Sequence, residues 1–438
     1  MTDASASPPL PSQVDVAVIG AGAAGVAAAR RLARPGLSLL VLEARERVGG
    51  RAHTVQTRDP QGATHGLDLG CGWLHSAEDN ALAARVEAEG LTLDKTPPPW
   101  ESQAFNHEMT PAEQAEFGQA FSDFEDRVAK AAQEGQDPPA SALFDPDCRW
   151  NARMDAISGA LNGARFAEVS TIDYDAYRDT GVNWRVKEGY GRLIAGLARG
   201  IDPSSLVLNC PVRCIDRSGA LLRLETARGP LHARAVVLTT PTSLIASEAI
   251  RIEPPVASLL EAASGVPLGL ASKLHMIVDG AEDFPPDSQL WGRRDTAQTG
   301  GYHLRPFGRP MIEGYFGADL AWGLEAQGPA AFFDFAVDEL VSLLGSDMRK
   351  RLQPVSASMW GADPWSRGAY SHALPGRAGD RAKLSAPIEN RIFIAGEATA
   401  LDFYGTAHGA WTEGERAADQ VLAALGLDPV RAPGDSEA

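Results

Sequence analysis

The stretch VDVAVIGAGAAGVAAARRL, residues 14–32, decides the fold. Its first six residues are almost entirely apolar and predict a buried strand, and the alanine-rich run that follows predicts a helix. A second apolar run, LSLLVLE at 37–43, comes after a Pro-Gly turn and predicts another strand. A strand, a helix and a strand in this order form a βαβ unit, so the sequence predicts an α/β fold built on a parallel sheet.

Three glycines at the turn between the first strand and the helix predict a dinucleotide site. Gly20, Gly22 and Gly25 form the pattern G-x-G-x-x-G. The first glycine permits a tight turn, the second lets the backbone approach a pyrophosphate, and the third lets the helix pack closely against the strand. The N-terminus of the helix favours the negative charge of the phosphates. Glu43 ends the second strand, where its carboxylate can accept hydrogen bonds from ribose hydroxyls.

Composition and charge exclude several classes of protein. No apolar run approaches the roughly 20 residues that cross a bilayer, and a net charge of −17 disfavours nucleic acids and anionic membranes as partners. The four cysteines are scattered, without a disulfide framework or a paired CxxC pattern. The N-terminus lacks the features of a secretory signal. We therefore expect a cytoplasmic protein with no metal site, no nucleic-acid partner and no membrane contact.

Beyond the βαβ unit, the chain is predicted to alternate between helical and strand-rich parts. Residues 76–191 carry a helical pattern, in which Thr110, Pro111 and Glu113 form a helix start with a capping box. Short alternating runs at 206–240 predict a small antiparallel meander. Three later elements complete the pattern: a buried strand within LGLASKLHMIVDG at 268–280, a long amphipathic helix at 328–345, and a strand followed by a helix at 391–426.

The segment EARERVGGRAHT, residues 43–54, adds a second loop directed at phosphates. Gly49 and Gly50 let this loop approach the pyrophosphate, and Arg51 supplies a fork of donors for phosphate oxygens. Two such loops in tandem favour FAD over NAD. Here the chain resembles the flavin-containing amine oxidase family, which includes polyamine oxidases and monoamine oxidases.

The resemblance extends to GLDLGCGWLHSAEDN, residues 66–80. Trp73, Leu74 and His75 are similar to a Trp-Ile-His triplet of polyamine and spermine oxidases. The resemblance implies that His75 lines the substrate tunnel, where a histidine of near-neutral pKa can accept a proton from an amine or orient it.

The C-terminal stretch RIFIAGEATALDFYGTAHGAW, residues 391–411, resembles the closing motif of the family. The resemblance implies that Gly396 and Glu397 contact the ribityl and pyrophosphate parts of FAD. It also implies that the helix after Thr406 points its N-terminus at the flavin ring, where the helix dipole stabilises negative charge.

The stretch WGADPWSRGAY, residues 360–370, is similar to the segment that carries a flavin-linked cysteine in monoamine oxidases. Ala369 stands at the cysteine position, which implies noncovalent FAD. Tyr370 matches the first wall of the family's aromatic cage, and Thr406 stands at the second cage position.

Lys273 lies within the apolar strand predicted at 268–280. Taken alone, it reads as a lysine that extends its ammonium group to water from a strand end. The resemblance implies another role, since a lysine on this strand of the family holds a water against flavin N5 and assists the attack of oxygen.

The resemblance implies a doubly wound, Rossmann-like FAD domain of the glutathione-reductase type, interleaved with an α+β substrate domain. We expect the FAD domain at 12–78, 192–253 and 386–428, and the substrate domain, with its helical insertion, at 79–191 and 254–385. Residues 1–11 and 429–438 are expected to be disordered tails. The predicted cofactor contacts are Gly20, Gly22, Ala23, Ala24, Gly25, Glu43, Ala44, Arg45, Gly50, Arg51, Gly70, Gly72, Trp73, Val212, Trp365, Gly396, Glu397, Thr406 and Ala407.

The function that the resemblance implies is oxidation of an amine by FAD. A hydride passes to flavin N5, the imine is hydrolysed, and O2 reoxidises the flavin to give hydrogen peroxide. The predicted catalytic residues are Lys273, His75 and Tyr370, and the predicted substrate contacts are Trp73, Tyr404 and Thr406. We expect a polyamine or a primary or secondary monoamine as substrate, O2 as acceptor and a possible homodimer.

Several alternatives remain open at this stage. An L-amino-acid oxidase needs an arginine for the substrate carboxylate, and a flavin desaturase, a protoporphyrinogen-type oxidase or a noncatalytic FAD module shares the cofactor motifs. The candidate arginines are Arg185, Arg305 and Arg367. The carboxylates that could pair with a distal ammonium are Glu78, Asp175, Glu188 and Glu313.

Overall fold

The structure is a computed structural model that describes residues 9–101 and 109–428. The predicted tails therefore lie outside the described residues, except for residues 9–11. The strands, in chain order, are β1 Gln13–Ile19, β2 Leu39–Leu42, β3 Thr54–Arg58, β4 Thr64–Asp68, β5 Trp73–Leu74, β6 Leu93–Asp94, β7 Trp184–Val186, β8 Leu206–Val207, β9 Val212–Asp216, β10 Leu222–Thr226, β11 Gly229–Leu238, β12 Arg251–Glu253, β13 Ala271–Val278, β14 Ser288–Trp291, β15 Gly301–Leu304, β16 Met311–Gly317, β17 Leu352–Ala357 and β18 Ile392–Ile394.

Twelve α-helices lie between and after these strands in the described residues. They are α1 Ala23–Leu32, α2 Pro111–Gln133, α3 Asn151–Asn162, α4 Thr171–Ala176, α5 Tyr190–Ala198, α6 Thr242–Ala246, α7 Ala257–Gly265, α8 Ala318–Gln327, α9 Pro329–Leu344, α10 Met348–Arg351, α11 Asp380–Ser385 and α12 Ala407–Ala424. No helix in the described parts of the chain is long and apolar enough to cross a membrane.

The main sheet has the strand order β12-β9-β10-β11-β1-β2-β8, and β18 pairs with the second half of β11. At its centre Ile19 pairs in parallel with Leu42 on one side and with Leu238 on the other. Leu238 in turn pairs with Ile394, near the C-terminus. The predicted βαβ unit and meander are confirmed, and three distant parts of the chain share one sheet.

Both faces of this sheet are covered, as the doubly wound prediction requires. Val16 and Val18 of β1 belong to the core beneath α1 and α12. Ala17 and Ile19 point to the other core, which includes residues of α7. Because α1 and α12 pack closely, a Cβ added to Gly414 would lie 2.1 Å from the carbonyl oxygen of Ala24.

A second sheet, of order β14-β15-β16-β13-β17, is antiparallel throughout and carries the predicted Lys273 strand. One of its faces packs on α8 and on α9, which is the predicted amphipathic helix. A helical layer of α2, α3 and α4 has its own aromatic core. The predicted capping box at Thr110 is confirmed, because its side chain accepts from the Glu113 N–H and the Glu113 carboxylate accepts from the Thr110 N–H.

Candidate active site

A cavity of about 970 Å³ is lined by both sheets and by the helical layer. Every residue predicted as catalytic, as a substrate contact or as a cofactor contact lines it, except Gly25. A Cβ on Gly25 would lie 1.9 Å from the Gly20 carbonyl oxygen, so Gly25 serves the contact between α1 and β1. That contact is the role the glycine pattern predicts for its third member.

The two glycine loops meet at the N-terminus of α1. A Cβ on Gly50 would lie 3.2 Å from the Cα atom of Gly22, and the Gly49 N–H donates to the Ala21 carbonyl at 2.8 Å. Side chains at Gly22 or Gly50 would fill the space that a pyrophosphate needs beside the helix N-terminus. The cradle therefore fits a dinucleotide such as FAD.

Glu43 and Arg45 support this cradle through contacts within the protein. The buried Glu43 carboxylate accepts from the backbone N–H groups of Ala21 at 2.7 Å and Arg45 at 2.8 Å. The Arg45 guanidinium donates to Asp363 and Ser366 at 2.8–3.0 Å. Both residues also line the cavity. Their contacts with the cofactor remain a prediction.

Arg51 and Glu397 join segments that are far apart in sequence. The Arg51 Nη1 donates to Glu397 Oε1 at 3.0 Å and to the Ala369 carbonyl at 2.5 Å. Burial by itself raises the pKa of Glu397, but the Arg51 guanidinium and the Ser371 hydroxyl outweigh burial and lower it. Glu397 is therefore a carboxylate, and it also accepts from the Gly405 N–H at 3.0 Å.

The last helix, α12, begins at the cavity wall. The Thr406 hydroxyl caps it by accepting from the Gly409 N–H at 3.0 Å, and donates to the Phe403 carbonyl at 2.6 Å. Ala407 and Ala410, in the first turn, line the cavity. The partial positive charge at this helix end faces the site, as predicted.

The second sheet presents a row of side chains to the same cavity. Across four neighbouring strands, Trp291 pairs with Gly301, Gly301 with Tyr315, and Tyr315 with Lys273. Residues directly opposite each other in a sheet project from the same face. Trp291, Tyr315 and Lys273 therefore form one cavity wall, and all of them line it.

Lys273 is 6% exposed and paired with a carboxylate. Its Nζ lies 2.8 Å from Glu313 Oε1, and a Cβ on Gly72 would lie 2.9 Å from the same nitrogen. Burial by itself lowers the pKa of Lys273, but the charges of Glu313 and Asp68 outweigh burial and raise it. Lys273 is therefore an ammonium, and Glu313 neutralises it rather than standing free for a substrate ammonium.

Two tyrosines stand beside Lys273. The hydroxyl groups of Tyr315 and Tyr370 lie 3.3 Å apart, and Tyr370 also donates to the Ala160 carbonyl on α3. Burial raises the pKa of both, so both are neutral phenols. Sequence reasoning missed Tyr315, because only its register opposite Lys273 brings it to the site.

His75 is held in one orientation by an amide. Its Nδ1 lies 2.7 Å from Asn183 Oδ1, and the Asn183 NH2 group donates to the Gly181 carbonyl at 3.2 Å. This arrangement assigns the proton to Nδ1 and leaves a lone pair on Nε2. Burial lowers the pKa of His75, so the ring is neutral at pH 7.

Two indoles extend the wall next to His75. The ring centroids of Trp73 and Trp100 lie 4.6 Å apart with an edge-to-face geometry, and Trp100 lies 6.3 Å from His75. Tyr404 lines the cavity, and its hydroxyl donates to the Asp173 carbonyl at 2.7 Å. The substrate side is thus mostly aromatic.

The carboxylates predicted for a distal ammonium divide into two groups. Asp175 and Glu313 line the cavity, whereas Glu78 and Glu188 do not. Two acids that the sequence did not single out, Glu125 and Asp179, also line it.

The arginines predicted for a substrate carboxylate lie elsewhere. Arg185, Arg305 and Arg367 do not line the cavity, and Arg185 pairs with Asp94 and Asp287. In the described parts of the chain, no group of three or more His, Cys, Asp or Glu side chains is arranged as metal ligands.

Comparisons with known proteins agree with this geometry. A family model for flavin-containing amine oxidoreductases matches residues 102–422, and one for NAD(P)-binding Rossmann-like domains matches residues 18–87. Polyamine oxidase 4 of Oryza sativa subsp. japonica is 30% identical, over 95% of this chain and 89% of its own length. Lysine-specific histone demethylase 2 of Homo sapiens is 25% identical over 93% of this chain but only 53% of its own length.

Solved structures share the fold at lower sequence identity. Putrescine oxidase bound to putrescine matches 95% of this chain and 100% of its own with a TM-score of 0.74 and 20% identity. Cyclohexylamine oxidase from Brevibacterium oxydans matches 96% of this chain and 100% of its own chain, with a TM-score of 0.72 and 20% identity. The family match covers most of the chain. This protein therefore belongs to the flavin-containing amine oxidoreductases, a family of FAD enzymes that act on amines.

Proposed function

We propose that the chain oxidises a primary or secondary amine, either a polyamine or a monoamine, with noncovalently bound FAD and O2 as the acceptor. The observation that carries the proposal is one cavity that joins the glycine cradle to Lys273, the tyrosine pair and a neutral histidine. FAD, held by the glycine cradle and Arg51, would supply two-electron oxidation of the carbon beside the nitrogen, with O2 as the final acceptor and hydrogen peroxide as its product.

The residues around the cofactor side support noncovalent binding. Gly22 and Gly50 leave room for the pyrophosphate, and α12 directs its N-terminus at the site. Ala369 offers no nucleophile, and burial raises the pKa of the Cys71 thiol to about 12, so Cys71 is not a reactive thiolate.

The substrate side supports binding of a neutral amine. Tyr315 and Tyr370, whose hydroxyl groups lie 3.3 Å apart, offer aromatic surface to the alkyl chain beside the reacting carbon. The buried, aromatic surroundings of Tyr315 and Tyr370 disfavour an unpaired positive charge, so the amine binds without its extra proton. The lone pair on His75 Nε2 accepts a proton during binding or release.

Lys273 is also suited to hold a water molecule. A smaller cavity of about 40 Å³ is lined by Lys273, Glu313, His275, His303 and Asp68, among others. A space of this size with several polar walls accommodates water. We assign Lys273 the task of positioning that water and of assisting the reduction of O2.

The test is the visible spectrum of the purified protein, first in air and then anaerobically with polyamines, monoamines and L-amino acids added in turn. Bleaching of an oxidised flavin band by an amine, followed by recovery and hydrogen peroxide on admission of air, is the expected result. Bleaching by L-amino acids alone would establish an amino-acid oxidase. A flavin band that no amine bleaches would favour the desaturase or protoporphyrinogen-type chemistry.

A further inference from the structure

Arg153, on α3, is a buried arginine to which the described part of the chain offers no hydrogen-bond or ion-pair partner. It is 6% exposed and lines the cavity. In residues 9–100 and 109–428, no carboxylate or other hydrogen-bond acceptor contacts its guanidinium, and its Nε is fully buried without a partner there. Burial lowers its pKa to about 10, so the side chain keeps its positive charge at pH 7.

The other arginines buried in the described residues are each paired with a carboxylate. Arg381 pairs with Asp173 at 2.6 Å, and Arg185 pairs with Asp94 and Asp287. A buried charge without a partner costs several kcal/mol, on the order of the whole stability of a small domain. An unpaired guanidinium that lines a binding cavity therefore points to a negative charge that arrives with a ligand.

Two aromatic rings hold Arg153 in place. Its guanidinium carbon lies 4.7 Å from the ring centroid of Phe117 on α2 and 5.1 Å from that of Trp291 on β14. Such contacts fix the plane of a guanidinium and leave its N–H edge for a planar, two-oxygen acceptor. A carboxylate matches this fork with two parallel hydrogen bonds and one neutralising charge.

The position of Arg153 along α3 sets its distance from the proposed reaction centre. Arg153, Ala156, Ile157 and Ala160 follow helical spacing and line the cavity as one stripe. Ala160 lies seven residues after Arg153, and its carbonyl accepts a hydrogen bond from the Tyr370 hydroxyl. Seven residues of α-helix span about 10 Å.

The second sheet gives an independent distance of the same size. Trp291 contacts Arg153. In the second sheet, Trp291 pairs with Gly301 and Gly301 pairs with Tyr315, so Trp291 and Tyr315 are two strands apart. Two strand spacings amount to roughly 10 Å. The Arg153 position on α3 thus lies about 10 Å from the backbone positions that hold the tyrosine pair, whether counted along the helix or across the sheet.

We infer that Arg153 binds a carboxylate carried by the amine substrate, about 10 Å from the carbon–nitrogen bond that is oxidised. This inference rests on the proposed function and narrows its substrate to long-chain amino acids or acidic amine conjugates. An α-amino acid carries its carboxylate one carbon from the amine, too near to bridge this distance. A simple polyamine would leave Arg153 unpaired and bring further positive charge beside it.

The acidic part of the cavity does not neutralise Arg153. Glu125 lies eight residues after Phe117 on α2, which corresponds to about 12 Å along the helix. Asp175 and Asp179 line the cavity without contacting Arg153. These groups are available to the ammonium end of other amines, and the experiment must therefore compare the two kinds of substrate directly.

The experiment compares 8-aminooctanoate, octylamine and 1,8-diaminooctane as substrates of the holoenzyme, with anaerobic flavin bleaching to identify substrates and hydrogen peroxide release in air to measure kcat/KM. For the wild type, we expect kcat/KM for 8-aminooctanoate to exceed that for the other two substrates by at least about tenfold. The reason is that octylamine and 1,8-diaminooctane leave the Arg153 guanidinium unpaired. In Arg153→Met, which keeps the aromatic contacts, the preference should disappear through a higher KM for 8-aminooctanoate. Octylamine turnover and flavin content should stay within about twofold of wild type.

Binding of octanoate, which has the carboxylate but cannot be oxidised, gives a readout that does not depend on turnover. Calorimetry should detect octanoate binding to wild type and a loss of at least about tenfold in affinity for Arg153→Met. Arg149→Met is the matched control, because Arg149 stacks on Trp150 at 4.4 Å but lies at the surface outside the cavity. This control should bind octanoate as wild type does.

Two results separate the failure of this inference from the failure of the proposed function. If the flavin is bleached by octylamine or the diamine as efficiently as by 8-aminooctanoate, or if octanoate binds equally to Arg153→Met, the carboxylate site is refuted and amine oxidation stands. If no amine bleaches the flavin, amine oxidation is refuted. Octanoate affinity then still decides whether Arg153 binds a carboxylate.

Discussion

The cofactor cradle and the substrate wall of this cavity are built in opposite ways. The cradle consists of backbone, and its glycines lie so close that a single Cβ at Gly25 would overlap the Gly20 carbonyl. The wall consists of side chains, including Lys273, Tyr315 and Arg153, that project from a sheet and a helix. A backbone-built site tolerates no added atoms, whereas a side-chain-built site can change its chemistry while its shape stays the same.

The first prediction challenges the cradle at its tightest contact. Gly25→Ala should reduce the flavin content of the purified protein to less than about a tenth of wild type, because α1 cannot approach β1 when a Cβ lies 1.9 Å from the Gly20 oxygen. The ratio of flavin to protein absorbance measures the effect. Gly323→Ala, within α8, is the control, because a Cβ at Gly323 meets nothing within 4 Å. This variant should keep its flavin, and its free energy of unfolding should rise by up to ~1 kcal/mol.

The second prediction concerns the wall and expects chemistry to fail without loss of FAD. Lys273→Met should slow flavin reoxidation by roughly 10²-fold. It should also lower the free energy of unfolding by about 3 kcal/mol, because Glu313 is left without its partner. Stopped-flow oxidation and urea unfolding measure the two effects.

A double variant separates these two effects of Lys273. Lys273→Met combined with Glu313→Gln should recover most of the lost stability, since no unpaired charge remains, yet stay slow in reoxidation. Reoxidation at the wild-type rate in either variant would remove the role assigned to Lys273.

The third prediction changes the charge of the wall but not its shape. Asn183→Asp places a carboxylate 2.7 Å from His75 Nδ1 and should raise the pKa of His75, which burial lowers in the wild type. Since the neutral ring is the active form, the acid limb of kcat/KM against pH should move upward by about one unit or more. Asn390→Asp, at an exposed position, should leave the profile unchanged. An unshifted profile for Asn183→Asp would rule out His75 as the titrating group.

The smallest expected effect lies between the two regions, at His372. Burial lowers the pKa of this histidine to about 4, so the unfolded chain binds a proton below pH 6.5 that the folded chain refuses. Stability is therefore full above pH 6.5 and falls toward pH 4. His372→Leu should flatten this fall by up to about 1.4 kcal/mol per pH unit, measured by urea unfolding at pH 7, 6 and 5. An unchanged slope would mean that His372 is already charged in the folded protein.

The same contrast explains what the sequence could predict. The cradle lies within residues 14–54, and its glycines can be recognised from their positions in a local strand-turn-helix pattern. Lys273 was also identifiable, because an ammonium in an apolar strand is unusual and the family resemblance supplied a reason. The domain boundaries and the individual cofactor contacts stay predictions.

The partners of the wall residues could not be read from the chain. Tyr315 reaches Lys273 only through the register of β13 and β16, and Glu313 neutralises Lys273 rather than serving a substrate. Arg153 looked like one more charged residue on a helix, and only the absence of a partner in the described structure distinguishes it. Pairing across distant segments depends on the whole fold, not on local pattern.

The assembly of the main sheet from distant segments has a consequence for how the enzyme is made. β18 completes the sheet beside β11, α12 covers α1, and Glu397 binds Arg51 across 346 positions of sequence. During synthesis on the ribosome, the glycine cradle is made long before β18 and α12. Contacts of such long range form late and slowly. The cradle can therefore be completed around its flavin only after β18 and α12 have been synthesised.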